Sequence, residues 1–327
     1  MIRLLTAALV CISFLYSVEP EDHVGKSTPV GSATRLVLTA DVGTIRVEPG
    51  NGSSVDVEVY FRGTAPSQSE YDRMRRDFRL DVAQQGSDIR VSGAFRGGWE
   101  PLVGFWPFIF AGHTMCRDWR CLEYARWLRE VEYRLTVPHG FNADLETSGG
   151  PIYLRSLDGE VNARTSGGGI TLTGGKGKAV VHTSGGPIRI TDVAGDVDAS
   201  TSGGRISIER NTGRVKAHTS GGGIDIREAT GTVNASTSGG GVTASLVGQP
   251  KEECRLYTSG GSIKVSLRKD IHVDLDASTS GGGVWTDFAV PSDGGRHHSE
   301  LRAPLNGGGP LLYLHTSGGG ITVRHAD

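Results

Sequence analysis

The sequence predicts an all-β protein, a parallel β-solenoid (β-helix) built from coils of about 18 residues with two short strands each. Three observations predict this fold: a tetrapeptide that recurs at a fixed interval, alternating apolar and polar residues between its copies, and an excess of glycine. Glycine supplies 49 of the 327 residues, about twice its usual share of ~7%.

The recurring tetrapeptide is Thr-Ser-Gly-Gly, and its spacing sets the length of a coil. Copies begin at Thr147, Thr165, Thr183, Thr201, Thr219, Thr237, Thr258, Thr279 and Thr316. The interval is 18 residues five times, then 21 residues twice and 37 residues once. We expect the last interval to hold about two coils, with a loop from Pro291 to Asn306 that leaves the stack.

Within each interval, two alternating apolar pairs predict two strands. Ile188 and Ile190 follow one corner, Val197 and Ala199 precede the next, and the turn glycine Gly195 lies between them. Alternation with a period of two is typical of a strand with one buried face. A single coil cannot hide that face, so coils must stack with equivalent strands parallel.

The corner residues should serve this stacking directly. We expect the corner glycines to supply a positive φ and room for the next coil. The corner threonine shares the parity of the inward valine and alanine. Its methyl group should therefore line the core, and its hydroxyl should bond along the stack.

These repeats are similar to those of a known bacterial family. The Thr-Ser-Gly-Gly corners, the Val-x-Ala-x-Thr-Ser-Gly-Gly-x-Ile run and the segment from Asn306 to Pro310 resemble the "putative adhesin" solenoids, a family of unknown function. The resemblance covers residues 130–327 well and extends more loosely back to Arg35. It implies an exported or cell-envelope solenoid, and it brings no catalytic residues.

The N-terminal third predicts a different organisation. Residues 1–17 are typical of a signal peptide, because Arg3 precedes an apolar run shorter than the ~20 residues of a membrane span; a buried first strand or helix is the alternative. Residues 18–34 are polar and predict a linker. Residues 35–137 predict a degenerate β section of the same sheet system, with a short helix from Gln68 to Arg76, and residues 138–327 hold the solenoid repeats.

An insertion at residues 97–127 interrupts the N-terminal β section and is rich in aromatic side chains. The candidate contact residues in it are Trp99, Phe105, Trp106, Phe108 and Phe110. An exposed patch of this kind would contact a partner or, peripherally, a membrane. A cap over the open end of the solenoid is the alternative, and its position favours the cap.

The cysteines predict one disulfide and one buried thiol. Cys116 and Cys121 are spaced to close a small disulfide loop in an oxidising compartment. Cys254 stands where valine stands in other coils, so we expect a buried, unreactive thiol.

Charge and outward residues argue against several functions. The net charge of −2, from 34 basic and 36 acidic residues, gives no support for nucleic-acid binding. The outward positions mix chemistries, and His182 and His218 lie two coils apart, too far to share a metal ion. We expect no catalytic, cofactor or metal site in the repeats.

These observations favour a non-catalytic binding protein. We expect an exported solenoid of the periplasm, cell envelope or extracellular space, an adhesin or scaffold whose partner is a protein or a surface saccharide. The alternative is a carbohydrate-active β-helix enzyme, a polysaccharide hydrolase or lyase. Its candidate residues are Asp293, Arg296, His297 and Glu300, since such a site needs clustered acidic and basic side chains.

Overall fold

A computed structural model describes residues 23–61, 68–95, 131–290 and 299–326. Two predicted segments, the signal peptide of residues 1–17 and the insertion of residues 97–127, lie outside the described residues. The described chain is almost entirely β-structure, and the predicted parallel β-solenoid is confirmed.

The elements follow one another as short strands with one helix among them in the described ranges. The N-terminal section contains β1 (His23–Pro29), β2 (Arg35–Ala40), β3 (Thr44–Gly50), β4 (Ser54–Phe61), α1 (Gln68–Asp77), β5 (Phe78–Gln85), β6 (Asp88–Phe95) and β7 (Val131–Pro138). The regular coils contain β8 (Asn142–Thr147), β9 (Ile152–Leu157), β10 (Val161–Thr165), β11 (Ile170–Gly175), β12 (Ala179–Thr183), β13 (Ile188–Thr191), β14 (Val197–Thr201), β15 (Ile206–Glu209), β16 (Val215–Thr219), β17 (Ile224–Ala229), β18 (Val233–Thr237), β19 (Val242–Leu246), β20 (Cys254–Thr258) and β21 (Ile263–Leu267). The C-terminal section contains β22 (Val273–Thr279), β23 (Val284–Thr286), β24 (Glu300–Leu305), β25 (Leu311–Thr316) and β26 (Ile321–His325).

Each coil gives one strand to each of two 13-stranded sheets. Sheet A has the order β1-β4-β7-β3-β9-β11-β13-β15-β17-β19-β21-β26-β23. Sheet B has the order β24-β22-β25-β20-β18-β16-β14-β12-β10-β8-β2-β6-β5. Because inward residues alternate with outward ones, the two sheets enclose one continuous apolar core that extends from Ala33 to Val323.

The corner threonines face inward and bond along the stack, as expected. Thr201 is 2% exposed, and its hydroxyl donates to the carbonyl oxygen of Gly186 in the preceding coil at 3.1 Å. The same Oγ1 accepts the amide N–H of Gly204 in its own corner at 3.2 Å. This buried hydroxyl therefore satisfies one carbonyl and one amide, groups that would be costly to leave unpaired.

The second glycine of each corner is required for space, and the expected positive φ is wrong. None of the corner glycines in the described ranges has a positive φ. A Cβ on Gly186, however, would overlap the carbonyl group of Gly168 in the neighbouring coil. Stacking at the ~4.8 Å strand spacing thus excludes a side chain there.

Positive φ occurs instead at the second turn of five successive coils. The residues with this conformation are Ser156, Gly174, Asp192, Arg210 and Glu228, with φ of 48°, 73°, 60°, 53° and 52°. They lie 18 residues apart, so the repeat imposes a left-handed backbone position even where the sequence has no glycine.

The predicted linker of residues 18–34 is wrong for its described part. His23–Pro29 forms β1, which pairs antiparallel with β4 along its full length. Polar composition hid this strand, because it lies at the edge of sheet A and only Val24 and Thr28 are partly buried, while the other residues of the strand are exposed. The predicted short helix is confirmed as α1, which has ten residues; no helix within the described ranges has the length and apolar character needed to cross a bilayer.

The C-terminal coils do not stack in sequence order, which corrects the expected two-coil interval. β25 pairs with both β20 and β22, and β26 pairs with both β21 and β23. The coil of β25 and β26 thus lies between the coil of β20 and β21 and the coil of β22 and β23. The expected loop from Pro291 to Asn306 is also wrong in part, since β24 within it pairs antiparallel with β22.

Candidate binding face

The outer surface of sheet B presents a column of side chains that precede the corner threonines; we call it the corner column. In spatial order its members are Glu146, Arg164, His182, Ser200, His218, Ser236, Tyr257, His315 and Ser278. They point outward because the flanking residues of each strand, such as Ala217 and Thr219, are buried. Parallel pairing holds every member in register with its neighbours, so the column forms a straight row.

Three histidines of the corner column are hydrogen-bonded to serines on adjacent strands. His182 Nδ1 lies 2.8 Å from Ser200 Oγ, and His218 Nδ1 lies 2.8 Å from Ser236 Oγ. At the far end, His315 Nδ1 lies 2.9 Å from the Oγ of Ser278. Each bond fixes the orientation of an imidazole on the flat surface of the sheet.

Aromatic and basic side chains gather at the C-terminal end of this face; we call Arg255, Tyr257, Tyr313 and His315 the ring cluster. The Tyr257 and His315 rings are stacked with centroids 5.5 Å apart and an interplanar angle of 13°. Tyr313 is stacked with His315 at 6.4 Å, and the Arg255 guanidinium lies 5.9 Å from the Tyr313 ring centroid. Tyr257 is nevertheless 40% exposed, so the cluster is ordered and accessible.

The spatial order of the corner column differs from the order of its members in the sequence. In the sequence, the coil of Ser278 lies between those of Tyr257 and His315. Insertion of β25 between β20 and β22 makes Tyr257 and His315 direct neighbours. No local pattern signals this exchange, because both coils carry the same corner motif.

The charged side chains beside the column pair with one another. Lys216 Nζ lies 3.0 Å from Asp198, and Arg255 Nε lies 2.7 Å from Glu253. The hydrogen bond to Glu253 raises the pKa of the Arg255 guanidinium, which keeps it protonated. The face consequently presents compensated charge rather than a strongly acidic or basic patch.

The serine–histidine pairs do not form a hydrolase triad in the described structure. A nucleophilic serine needs a base that a third group orients, and donors for an oxyanion. Within the described ranges, no carboxylate is bonded to the imidazoles of His182, His218 or His315. No group of three or more metal-ligating side chains occurs in the same ranges either.

The residues of the enzyme alternative are only partly described. Glu300 lies at the start of β24, where its carboxylate is 2.6 Å from Arg302. Arg302 also contacts Asp276 at 3.2 Å, so Glu300 belongs to a surface ion-pair network. Asp293, Arg296 and His297 lie outside the described residues.

An open depression lies on the opposite side, at the end of sheet A. It has a volume of about 850 Å³, and its lining includes Glu228, Ser266, Asp287 and Arg324. The lining mixes charges of both signs and is wide open to solvent. It does not converge on one chemistry, so the sheet B face remains the better candidate.

Of the other residues singled out from the sequence, the burial of Cys254 is confirmed, and the rest lie outside the described residues. Cys254 is 1% exposed, as predicted, and burial raises the pKa of its thiol, which disfavours the reactive thiolate. The aromatic contact residues Trp99, Phe105, Trp106, Phe108 and Phe110, and the Cys116–Cys121 pair, lie outside the described residues.

Comparisons with known proteins give similar structures but no family. No protein-family model matches the chain, and no curated protein matches it. A "putative adhesin" from Bacteroides fragilis NCTC 9343 is 12% identical with a TM-score of 0.40, over 94% of this chain and 99% of that one. A "putative cell adhesion protein" from Clostridium sporogenes ATCC 15579 is 10% identical with a TM-score of 0.23, over 94% and 100%. A "putative adhesin" from Parabacteroides distasonis ATCC 8503 is 9% identical with a TM-score of 0.27, over 94% and 98%.

Proposed function

We propose that the chain is a non-catalytic binding protein, an exported or cell-envelope adhesin or scaffold that contacts its partner through the outer face of sheet B. The partner is a protein or a saccharide on a surface, and no nucleic acid takes part. The aromatic insertion of residues 97–127 adds a second contact surface to this proposal, for a partner or peripherally for a membrane.

The observation that carries the proposal is the stacked pair of Tyr257, which is exposed, and His315, which is partly buried. Aromatic side chains that keep a polar edge are preferred at binding surfaces. Here the stack and the bond from His315 to Ser278 hold the rings before any partner arrives. Less side-chain entropy is therefore lost on binding, which favours affinity.

The carbohydrate-active enzyme is the less supported candidate. Catalysis on a saccharide needs an acid and a base placed across one bond. In the described ranges, Glu300 and Asp276 are held by Arg302 in exposed ion pairs, a solvated arrangement that suits neither role. We therefore propose binding without turnover.

The test is co-sedimentation of the full chain with intact bacterial cells and with isolated sacculi. We expect the wild-type chain to sediment with one of them. The double variant Tyr257→Ala, His315→Ala should bind at least about tenfold more weakly, as expected for a hot-spot residue. The control is Trp285→Ala, which removes a 45% exposed ring on sheet A and should leave binding unchanged.

Two results would contradict the proposal. One is full binding by the double variant, with its thermal unfolding midpoint unchanged, which would exclude the ring cluster as the contact. The other is release of reducing ends or unsaturated sugars from polysaccharides incubated with the purified chain, which would demonstrate an enzyme.

A further inference from the structure

From β12 to β20, rings recur along the corner column at every second strand, and beyond β20 the next ring, His315, follows on the adjacent strand. His182 lies on β12, His218 on β16 and Tyr257 on β20, with Ser200 on β14 and Ser236 on β18 between them. Since adjacent strands are ~4.8 Å apart, the rings repeat at about 9.6 Å. The structure therefore presents a row in which rings and serine hydroxyls alternate with a period of two coils.

Each unit keeps hydrogen-bonding capacity for a ligand. The bond between His218 Nδ1 and Ser236 Oγ uses one ring nitrogen, and the second ring nitrogen, Nε2, has no partner within the described residues. The serine hydroxyl is one donor with two acceptor lone pairs, so a single bond leaves it further capacity. The same holds for His182 and Ser200.

The period and the charge select the class of ligand. An extended peptide repeats every two residues over about 6.8 Å, which falls out of step with the rings. A nucleic acid would need an excess of basic groups, whereas Lys216 and Arg255 are paired with Asp198 and Glu253. A β-1,4-linked glycan of neutral sugars carries no charge, and in its extended form its disaccharide repeat is close to two strand spacings.

We propose that the corner column binds a neutral β-1,4-linked polysaccharide that lies along the solenoid axis, with one disaccharide for every two coils. The C–H faces of the sugars pack on the rings of His182, His218 and Tyr257, since aromatic rings bury apolar surface well. Sugar hydroxyls bond to the imidazole nitrogens and to the serines between them. This inference rests on the proposed binding function of the same face and specifies its ligand.

The test is calorimetric titration of the full chain with cello- and chito-oligosaccharides of defined length. From His182 to Tyr257 the column spans four strand spacings, about 19 Å, which a tetrasaccharide matches. We expect a tetrasaccharide of one series to bind at least about tenfold more tightly than its disaccharide. Maltohexaose, an α-1,4-linked and helical chain, is the control and should bind no better than the disaccharide.

Variants test whether the row of alternating rings and hydroxyls binds the oligosaccharide. His218→Ala removes the middle ring and should weaken tetrasaccharide binding about tenfold while leaving disaccharide binding nearly unchanged. Trp285→Ala should change neither. Affinity that does not depend on length, equal binding of maltohexaose, or no binding of either series would overturn the inference. If the cell or sacculus binding described above persists in that case, the proposed function stands without this ligand.

Discussion

At the scale of single residues, the corner motif works by space and by paired hydrogen bonds. The second glycine of each corner lies against the carbonyl group of the same glycine one coil away, as Gly204 does against Gly186. The threonine hydroxyl then links the two coils, with Thr183 donating to Gly168 at 2.7 Å. A motif of small residues is thus explained by close approach of two backbones, not by backbone strain.

The two glycines of one corner should respond differently to the same substitution. Gly186→Ala places a Cβ on the Gly168 carbonyl group. We expect this overpacking to lower the free energy of unfolding by about 3 kcal/mol. Gly185→Ala is the matched control, because its nearest neighbour would be the Ser166 oxygen at 3.6 Å; we expect a change within about 0.5 kcal/mol. Urea unfolding followed by circular dichroism measures both, and equal effects would contradict this account.

At the scale of elements, β2 and β6 are joined by a buried carboxylate as well as by their backbone ladder. Arg35 and Asp88 are register partners, and Arg35 donates to both carboxylate oxygens at 2.9 and 2.7 Å. The Asp88 side chain is only 8% exposed. The hydrogen bond from Arg35 lowers the pKa of Asp88 below its ordinary value.

This pair should make the stability of the N-terminal end depend on pH. In the unfolded chain, Asp88 has a pKa of about 3.9, and in the folded chain its pKa is lower. The contribution of the Arg35–Asp88 pair to the free energy of unfolding is therefore complete above about pH 3.9. Below this pH the unfolded state binds a proton that the folded state does not. The stabilisation by the pair is then lost as the pH falls through the pKa of Asp88 in the folded state. Asp88→Asn should therefore lower the thermal midpoint at pH 7, and its difference from wild type should shrink below about pH 3.9.

A control variant separates the pair from general acid effects. Asp81→Asn changes an exposed carboxylate on β5 that makes no ion pair within the described residues. Its difference from wild type should stay constant over the same pH range. A parallel shift in both variants would show that the Arg35–Asp88 pair is not responsible.

At the scale of the whole molecule, both ends of the solenoid depart from sequence order in the same way. The coil of β2 and β3 lies between that of β6 and β7 and that of β8 and β9. The coil of β25 and β26 lies between two earlier coils. In each case a coil near the end of the described chain is hydrogen-bonded on both sides, which protects it from fraying.

Removal of residues 307–327 tests the role of the inserted C-terminal coil. Without β25 and β26, the coil of β22 and β23 loses its parallel neighbours and the buried contacts of Leu312 and Leu314. We expect limited proteolysis to cut the truncated chain within residues 270–306 and to leave residues 142–267 intact, because neighbouring coils stabilise only one another. The full chain should resist under the same conditions; equal resistance of the truncated chain would contradict this role.

The candidate site was recoverable from the sequence only in part. The repeat length assigns His182, Ser200, His218 and Ser236 to one outward column, since side chains alternate strictly along a strand. The contact of Tyr257 with His315 was not recoverable, because the two residues lie 58 positions apart with another coil between them. The hydrogen bonds that orient the imidazoles also depend on side-chain geometry that no spacing encodes.

The sequence by itself determined the coil, its two strands, the inward threonines and the burial of Cys254, because these follow from a repeat that each coil restates. Only the tertiary structure decided the order of the end coils, the antiparallel edge strands β1, β5 and β24, and the turn positions with positive φ. The reason is that the repeat coils present the same apolar pattern and the same corner, so this pattern alone does not select which coil stacks on which. Contacts between distant segments, such as β24 with β22, select one order from these equivalent ones.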